Sequence, residues 1–182
     1  MLVYIIIAIV VIILIYILVL YNSFIKLNNK VNEAFSTMDV YLKKRWDLIP
    51  NIIEAVKGYA KHEKSTFEEV TNLRNKGYDN MNSEEKIKTN EKLNKDITKI
   101  IALAEAYPDL KATNNYKDLM KELVTTEDEI AKSRKYYNAT VRLFNNKVEM
   151  FPSNIFANIF GYKRKLMFEA TESERENIKV EL

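Results

Sequence analysis

Residues 24–59, FIKLNNKVNEAFSTMDVYLKKRWDLIPNIIEAVKGY, carry apolar side chains at steps of three, four or seven residues. This spacing is typical of a helix that buries one face. The stripe consists of Phe24, Val31, Phe35, Met38, Leu42, Ile49, Ile52, Val56 and Tyr59. The sequence therefore predicts one amphipathic helix over most of this stretch.

Pro50 lies inside this helical pattern, yet the apolar register is the same on both sides of it. Because proline removes one helical hydrogen bond and crowds the preceding turn, we expect a kink or a nearly collinear restart there. Asp47, three residues earlier, is placed to cap a restarted segment that has Pro50 in its first turn. Asp47 and Pro50 are thus interpreted as a structural device.

The residues before the stripe form a membrane-length apolar segment. Residues 2–21, LVYIIIAIVVIILIYILVLY, contain no charge, amide or proline, and about 20 such residues cross a bilayer as a helix. Only Met1 precedes them, without the basic region of a signal peptide. We therefore expect a retained anchor in the cell membrane over 1–21.

Basic residues follow this segment and none precedes it. Lys26, Lys30 and the run 43–45 lie on its C-terminal side. The positive-inside rule then predicts an N-terminus outside the cell and a main domain in the cytoplasm. The reverse orientation remains an alternative.

Further apolar stripes follow a break that we expect near 61–66. The expected helices cover about 66–76, about 84–107 and 116–151, and Pro108 and Pro152 end the last two. Each stripe must meet another to be buried, so we predict an all-α protein whose transmembrane helix continues into an antiparallel, four-helix, up-and-down bundle. The predicted bundle domain covers 22–168, and a polar C-terminal tail covers 169–182.

Composition agrees with long helices and excludes some chemistry. The 182 residues include only three glycines and three prolines, which leaves little turn chemistry for a sheet. The absence of cysteine excludes disulfides and thiolate metal sites. The net charge of +3 arises from mixed acids and bases, which is weak support for a nucleic-acid partner, and we expect none.

No catalytic, cofactor or metal site emerges from the motifs. His62 is the single histidine, and its surroundings, HEKST, do not match the zinc-protease pattern HExxH. Gly-rich phosphate loops and GxSxG are absent as well. We therefore expect a protein that is not an enzyme and that needs no cofactor.

Three charged residues occupy positions on the apolar stripes: Arg45 on the first, and Glu127 and Arg134 on the last. An unpaired charge in a packed seam costs several kcal/mol, so two interpretations are open. These residues form a buried polar layer that sets helix register, or their stems lie along the seam with the charged heads in water.

An apolar segment rich in aromatic residues follows the last stripe and ends in three basic residues, Lys163, Arg164 and Lys165. Its apolar members are Phe151, Ile155, Phe156, Ile159, Phe160 and Tyr162. Such a patch either closes the end of the bundle, binds a partner protein or lies on the membrane. We refer to residues 151–162 as the aromatic segment.

The chain resembles the LemA family of bacterial membrane proteins in three stretches: DVYLKKRWDLIPNIIEAVKGYAKHE at 39–63, AEAYPDLKA at 104–112, and EDEIAKSRKYYNATVRLFNNKVEMFPSNIFANIFGY at 127–162. Trp46 departs from the pattern, where another aromatic such as Tyr is usual. The resemblance implies a helical bundle, an outward-facing N-terminus and a cytoplasmic body, but no reaction. The family's characteristic positions fall on Asp39, Arg45, Asp47, Pro50, Asn51, Glu63, Glu127, Arg134, Tyr137 and Asn138.

Three functions remain after these exclusions. The first is a non-enzymatic scaffold or adaptor whose partners are the bilayer, other membrane or envelope proteins, and a second copy of the chain. The second is a ligand sensor or enzyme with a polar site inside the bundle, which requires charges that face a cavity. The third is membrane remodelling through the aromatic segment, which requires that segment at bilayer height.

Overall fold

The computed structural model describes residues 1–60, 64–74 and 77–168. These residues form six α-helices, one 3-10 turn (Tyr78–Asn80) and no strand, which confirms the all-α prediction. The helices are α1 (Leu2–Lys57), α2 (Lys64–Arg74), α3 (Ser83–Glu105), α4 (Pro108–Ala112), α5 (Asn114–Glu149) and α6 (Ser153–Ile159). The predicted tail over 169–182 lies outside the described residues, as do His62 and Glu63.

The apolar segment and the first stripe form one continuous helix, α1. Its N-terminal part is long and apolar enough to cross a membrane. The helix ends at Lys57, and the break expected near 61–66 overlaps residues 61–63, which are not described.

Pro50 lies inside α1 without interrupting it. Ile49, Ile52 and Ile53 around it are all buried, and their packing offsets the hydrogen bond that proline cannot make. No helix restarts here, so Asp47 does not lie at a helix start; its carboxylate accepts hydrogen bonds from Lys43 Nζ at 2.6 and 2.8 Å. A kink at Pro50 remains a prediction.

The chain divides into two compact units. The first contains residues 1–36 and 135–167, that is, the start of α1, the end of α5, α6 and the segment after it. Within this unit α1 and α5 run antiparallel, since Phe35 meets Tyr137 whereas Phe24 lies by Lys147. Its core includes Phe24, Val31, Ala34, Val141, Phe144 and Ala157.

The second unit contains the described residues of 37–134 together with Phe168. It holds the rest of α1, all of α2, α3 and α4, and the start of α5. Its core includes Met38, Leu42, Ile49, Val56, Leu93, Ile100, Leu123 and Ile130. The predicted boundary between an anchor over 1–21 and a bundle over 22–168, and the four-helix arrangement itself, remain predictions.

Helix ends position the elements that matter below. Asn82 caps α3 in a reciprocal arrangement: its side chain accepts from Glu85 N at 3.0 Å, and the Glu85 carboxylate accepts from Asn82 N at 2.9 Å. At the end of α6, Gly161 has a φ of 74°, a conformation that favours glycine. Gly161 N donates to Asn158 O and Tyr162 N donates to Ala157 O, which completes a Schellman motif.

Candidate functional site

Arg45 is the centre of a buried polar cluster in the second unit. Its side chain is fully buried, and Nη1 donates to both carboxylate oxygens of Glu127, at 2.9 and 3.0 Å. Nη1 also donates to Asn94 Oδ1 at 2.6 Å, and Nη2 donates to Asn90 Oδ1 at 2.7 Å. Arg45 therefore joins α1 to both α3 and α5 by charge-assisted hydrogen bonds.

Geometry separates the two interpretations of these charges. The guanidinium of Arg45 has no exposed surface, so its head does not reach water. The Glu127 side chain keeps 38% of its surface exposed, which places the ion pair at the edge of the core. Arg45 Nε has no hydrogen-bond partner among the described residues. Arg45 and Glu127 thus pair directly with each other.

Arg134, the third residue of the predicted polar layer, has different surroundings. It lies seven residues after Glu127 on α5, about two helical turns further along. Its guanidinium carbon is 5.3 Å from the centre of the Phe168 ring, a distance typical of a cation–π contact. The structure brings Arg45 and Glu127 together and gives Arg134 an aromatic neighbour.

Sequence reasoning missed the two asparagines of the cluster. Asn90 and Asn94 are one turn apart on α3, and Asn90 is buried. Asn90 Nδ2 donates to Lys86 O at 2.8 Å, which orients its oxygen towards Arg45. The sequence did contain a signal for them: amides at i and i+4 share one helix face, and here that face also carries the apolar residues Ile87 and Leu93.

A second polar cluster connects the 3-10 turn to α1 and α3. Tyr78 OH donates to Asp39 Oδ1 at 2.6 Å, and Lys86 Nζ donates to Asp39 Oδ2 at 2.6 Å. Lys86 Nζ also lies 4.6 Å from the centre of the Tyr78 ring. The centres of the Tyr78 and Trp46 rings are 5.3 Å apart. Burial, and then the hydrogen bond to Asp39, raise the pKa of Tyr78 well above 10, so the phenol remains a neutral donor.

The described residues include no group of three or more His, Cys, Asp or Glu side chains arranged to hold a metal ion. An open groove on the second unit lies between α1 and α5, with Val40, Leu48, Asn51 and Glu122 among its lining residues. Lys44 crosses it to pair with Glu122 at 3.2 Å. This exposed ion pair contributes little to stability.

The aromatic segment packs against α1 within the first unit. Phe156 makes an edge contact with Tyr16 at 6.3 Å between ring centres, and Phe160 makes one with Tyr21 at 5.1 Å. Tyr162 stacks on Phe24 at 5.0 Å with an interplanar angle of 13°. The segment therefore lies alongside the C-terminal end of the apolar stretch of α1.

Not every member of the aromatic segment makes such contacts. Phe151 is 80% exposed, Ile159 70% and Ile155 50%. The segment thus has one face packed on α1 and one apolar face open to the surroundings.

Hydrogen bonds hold the segment after α6 against α5. Asn145 Oδ1 accepts from Lys165 N at 2.9 Å, and Asn145 Nδ2 donates to Lys165 O at 3.0 Å. Tyr137 OH donates to Leu166 O at 3.0 Å. Lys165 Nζ lies 5.3 Å from the Phe144 ring centre, and burial lowers the pKa of Lys165.

These features define an all-α protein with a membrane-length N-terminal helix and a buried arginine, Arg45, whose hydrogen bonds join three helices. The chain belongs to the LemA family: the sequence model of that family matches residues 34–182. This confirms the family that the sequence motifs indicated.

Named relatives come from three bacteria. Magnetosome protein MamQ 2 of Paramagnetospirillum magneticum is 25% identical, and the match covers 84% of this chain and 66% of the relative. Protein LemA of Metamycoplasma hominis is 27% identical, with 86% of this chain and 72% of the relative covered. Magnetosome protein MamQ of Magnetospirillum gryphiswaldense is 23% identical, with 81% and 64% covered. The chain thus spans slightly less than two thirds of the MamQ proteins.

Proposed function

We propose that this protein is a single-pass protein of the cell membrane whose cytoplasmic helical body is a non-enzymatic scaffold or adaptor for other membrane or envelope proteins. The anchoring part of the proposal is supported by the length and apolar character of the start of α1. The names of the relatives state no reaction. The cytoplasmic placement is supported by the basic residues after the span.

The observation that carries the scaffold proposal is the pairing of Arg45. A catalytic or ligand-binding cluster would turn polar atoms towards a space that a ligand enters. Here both Nη atoms of Arg45 are used by Glu127, Asn90 and Asn94. Such an arrangement fixes the relative positions of helices, which is the best-attested role of buried polar groups in bundles.

The scaffold proposal is tested by cross-linking in native membranes. Val40 and Val124 are 65% and 62% exposed in the second unit, so a photo-reactive residue at either position samples its surroundings. We expect repeated capture of the same membrane or envelope protein. A body that captures nothing, or only its own copies, would contradict the adaptor role.

A matched variant separates a scaffold from a site-based function. Glu127→Gln removes the negative charge that faces Arg45 while it preserves the size of the side chain. The capture pattern of a scaffold survives this change as long as the protein remains folded. Loss of capture in a folded Glu127→Gln protein would favour the ligand-sensor alternative.

Membrane topology is tested separately. The anchored protein should stay in the membrane fraction after alkaline washing. Trypsin should cleave near Lys163 and Arg164, which are exposed, only when it is given access to the cytoplasmic side. Cleavage in intact cells whose outer layers have been removed would reverse the proposed orientation.

A further inference from the structure

The aromatic segment lies at the depth of the bilayer boundary if the apolar part of α1 spans the membrane, as proposed above. Phe160 meets Tyr21, the last residue of the apolar stretch, whereas Phe156 meets Tyr16. Five residues of helix separate Tyr16 from Tyr21, which is about 7.5 Å along the axis. Helices that lie in a membrane interface bury their apolar faces to a depth of about 5–10 Å. Phe156 is therefore at the depth that such helices reach.

Burial within α1 supports the same placement. Leu20, inside the apolar stretch, is only 3% exposed, whereas Leu18 and Val19 beside it are each 62% exposed. Packing therefore covers one side of the end of the span and leaves the other sides for lipid. In the first unit the aromatic contacts identify α6 as an element that lies on this side.

The outward side of α6 carries exposed apolar residues. Ile155 and Ile159 lie four residues apart on α6 and are at least half exposed, as is Phe151 just before the helix. Exposed apolar residues are common singly, but three of them on and just before a helix that adjoins a membrane span form a surface that lipid would cover.

Basic residues border this surface on the side away from the span. Lys163 and Arg164 follow α6 and are exposed, and Lys26 is exposed one turn after Asn22 on α1. Glu149 offsets part of this charge, since it pairs with Arg164 Nε at 3.0 Å. Lys165 is half-buried, and its Nζ donates to Asn32 Oδ1 at 3.1 Å. The exposed excess is positive, as suits a leaflet that carries anionic headgroups.

We propose that α6 and its flanking residues form a second, monotopic contact with the bilayer: Phe151, Ile155 and Ile159 enter the boundary of the acyl chains, and Lys163 and Arg164 bind the phosphates of anionic lipids. This inference rests on the proposed membrane anchoring. It commits the open apolar face to lipid in preference to a partner protein or a second copy.

The test uses the full chain in vesicles that contain anionic lipid. The sequence has no cysteine, so single cysteines at Ile155, Ile159, Val10 and Val124 each carry one environment-sensitive fluorophore without further engineering. Val10 reports the span, and Val124 is a control because it is an apolar residue of similar exposure in the second unit. Spin-labelled lipid should quench the labels at 155, 159 and 10, as expected for residues that contact the acyl chains. The label at 124 should not respond.

Contrary outcomes distinguish the two proposals. If the label at 10 responds to lipid while those at 155 and 159 respond only to aqueous iodide, the lipid contact of α6 is refuted and the anchor stands. Labels at 155 and 159 that respond to neither quencher are covered by protein, which also refutes it. A label at 10 that does not respond to lipid overturns the anchor and the inference together.

A second measurement tests whether Lys163 and Arg164 bind the phosphates of anionic lipids. Energy transfer from the label at 159 to headgroup-labelled anionic lipid, compared with zwitterionic lipid, measures lipid preference around α6. Lys163→Gln with Arg164→Gln should reduce this preference, by about fivefold for each basic residue that lies at the surface. Lys88→Gln with Lys92→Gln, two exposed lysines of α3, is the matched control. An unchanged preference in the first pair would refute the role of the phosphates.

Discussion

The ion pair between Arg45 and Glu127 allows a quantitative prediction. Removal of one partner from a fully buried pair costs about 3–5 kcal/mol, because the remaining charge is left uncompensated. In Glu127→Gln, Arg45 remains buried, but Asn90 and Asn94 still accept its hydrogen bonds. Glu127 is also 38% exposed, so water reaches the site. We therefore expect a smaller loss, about 2 kcal/mol in the free energy of unfolding.

Trp46 makes this loss measurable. It is the single tryptophan, lies next to Arg45 in the sequence, and is 4% exposed within the same unit. Thermal unfolding of the full chain in detergent micelles, followed by tryptophan fluorescence, reports on this unit. For a chain of this size about 2 kcal/mol corresponds to a decrease in Tm of about 4–8 °C.

Glu122→Gln is the matched control for this prediction. It is the same substitution on the same helix, but the ion pair of Glu122 with Lys44 is 46% exposed on both sides. We expect a change below about 1 kcal/mol, and high salt should abolish it. Equal effects of the two substitutions, or a Glu127→Gln effect that disappears in salt, would refute the argument that burial decides the energy of the pair.

Three further predictions concern other contacts. Asn145→Ala removes two hydrogen bonds to Lys165, so trypsin should cleave the segment after α6 faster than in the wild type, whereas exposed Asn146→Ala should not change the rate. Gly161→Ala forces a side chain into a positive φ and should cost about 1–2 kcal/mol, as read from thermal melting of the full chain. Gly58→Ala, where φ is not positive, should cost less, and an equal cost would contradict the strain argument. Above about pH 10 the unfolded chain loses the Tyr78 proton whereas the folded chain keeps it, so stability should decrease with rising pH, and Tyr78→Phe should weaken this decrease in a pH series of melting curves.

The local pattern predicted most of the helices. α5 begins two residues from the first residue of the predicted stripe and ends two residues from its last, and α3 departs by one or two residues at each end. Both helices have a strong apolar periodicity and residues that end a helix, and such signals depend only on residues within about one helical turn. Pro108 is informative in another way: it ends the third stripe but begins the short helix α4, since proline is also favoured in a first helical turn.

The partners of the charged residues could not be predicted from the local pattern. The stripes identified Arg45 and Glu127 as charges on apolar faces, but 82 residues of chain separate them, and periodicity does not show which helix faces which. The sequence did not predict Asn90 and Asn94 as partners of Arg45, because an amide on an apolar stripe is common and its partner is set by the packing of another helix. Arg134 had the same signal as Glu127, and its guanidinium carbon lies 5.3 Å from the centre of the Phe168 ring.

The amino-acid sequence alone determined the all-α class, the membrane-length segment, most helix boundaries and the family, because hydrophobic period and local stop signals act between neighbours in the chain. Only the tertiary structure decided that Arg45 is buried and paired, and that the aromatic segment lies beside the end of the apolar stretch of α1. Those facts depend on contacts between residues far apart in sequence. The free energy of such contacts depends on burial, and burial is set by helices that pack together from different parts of the chain.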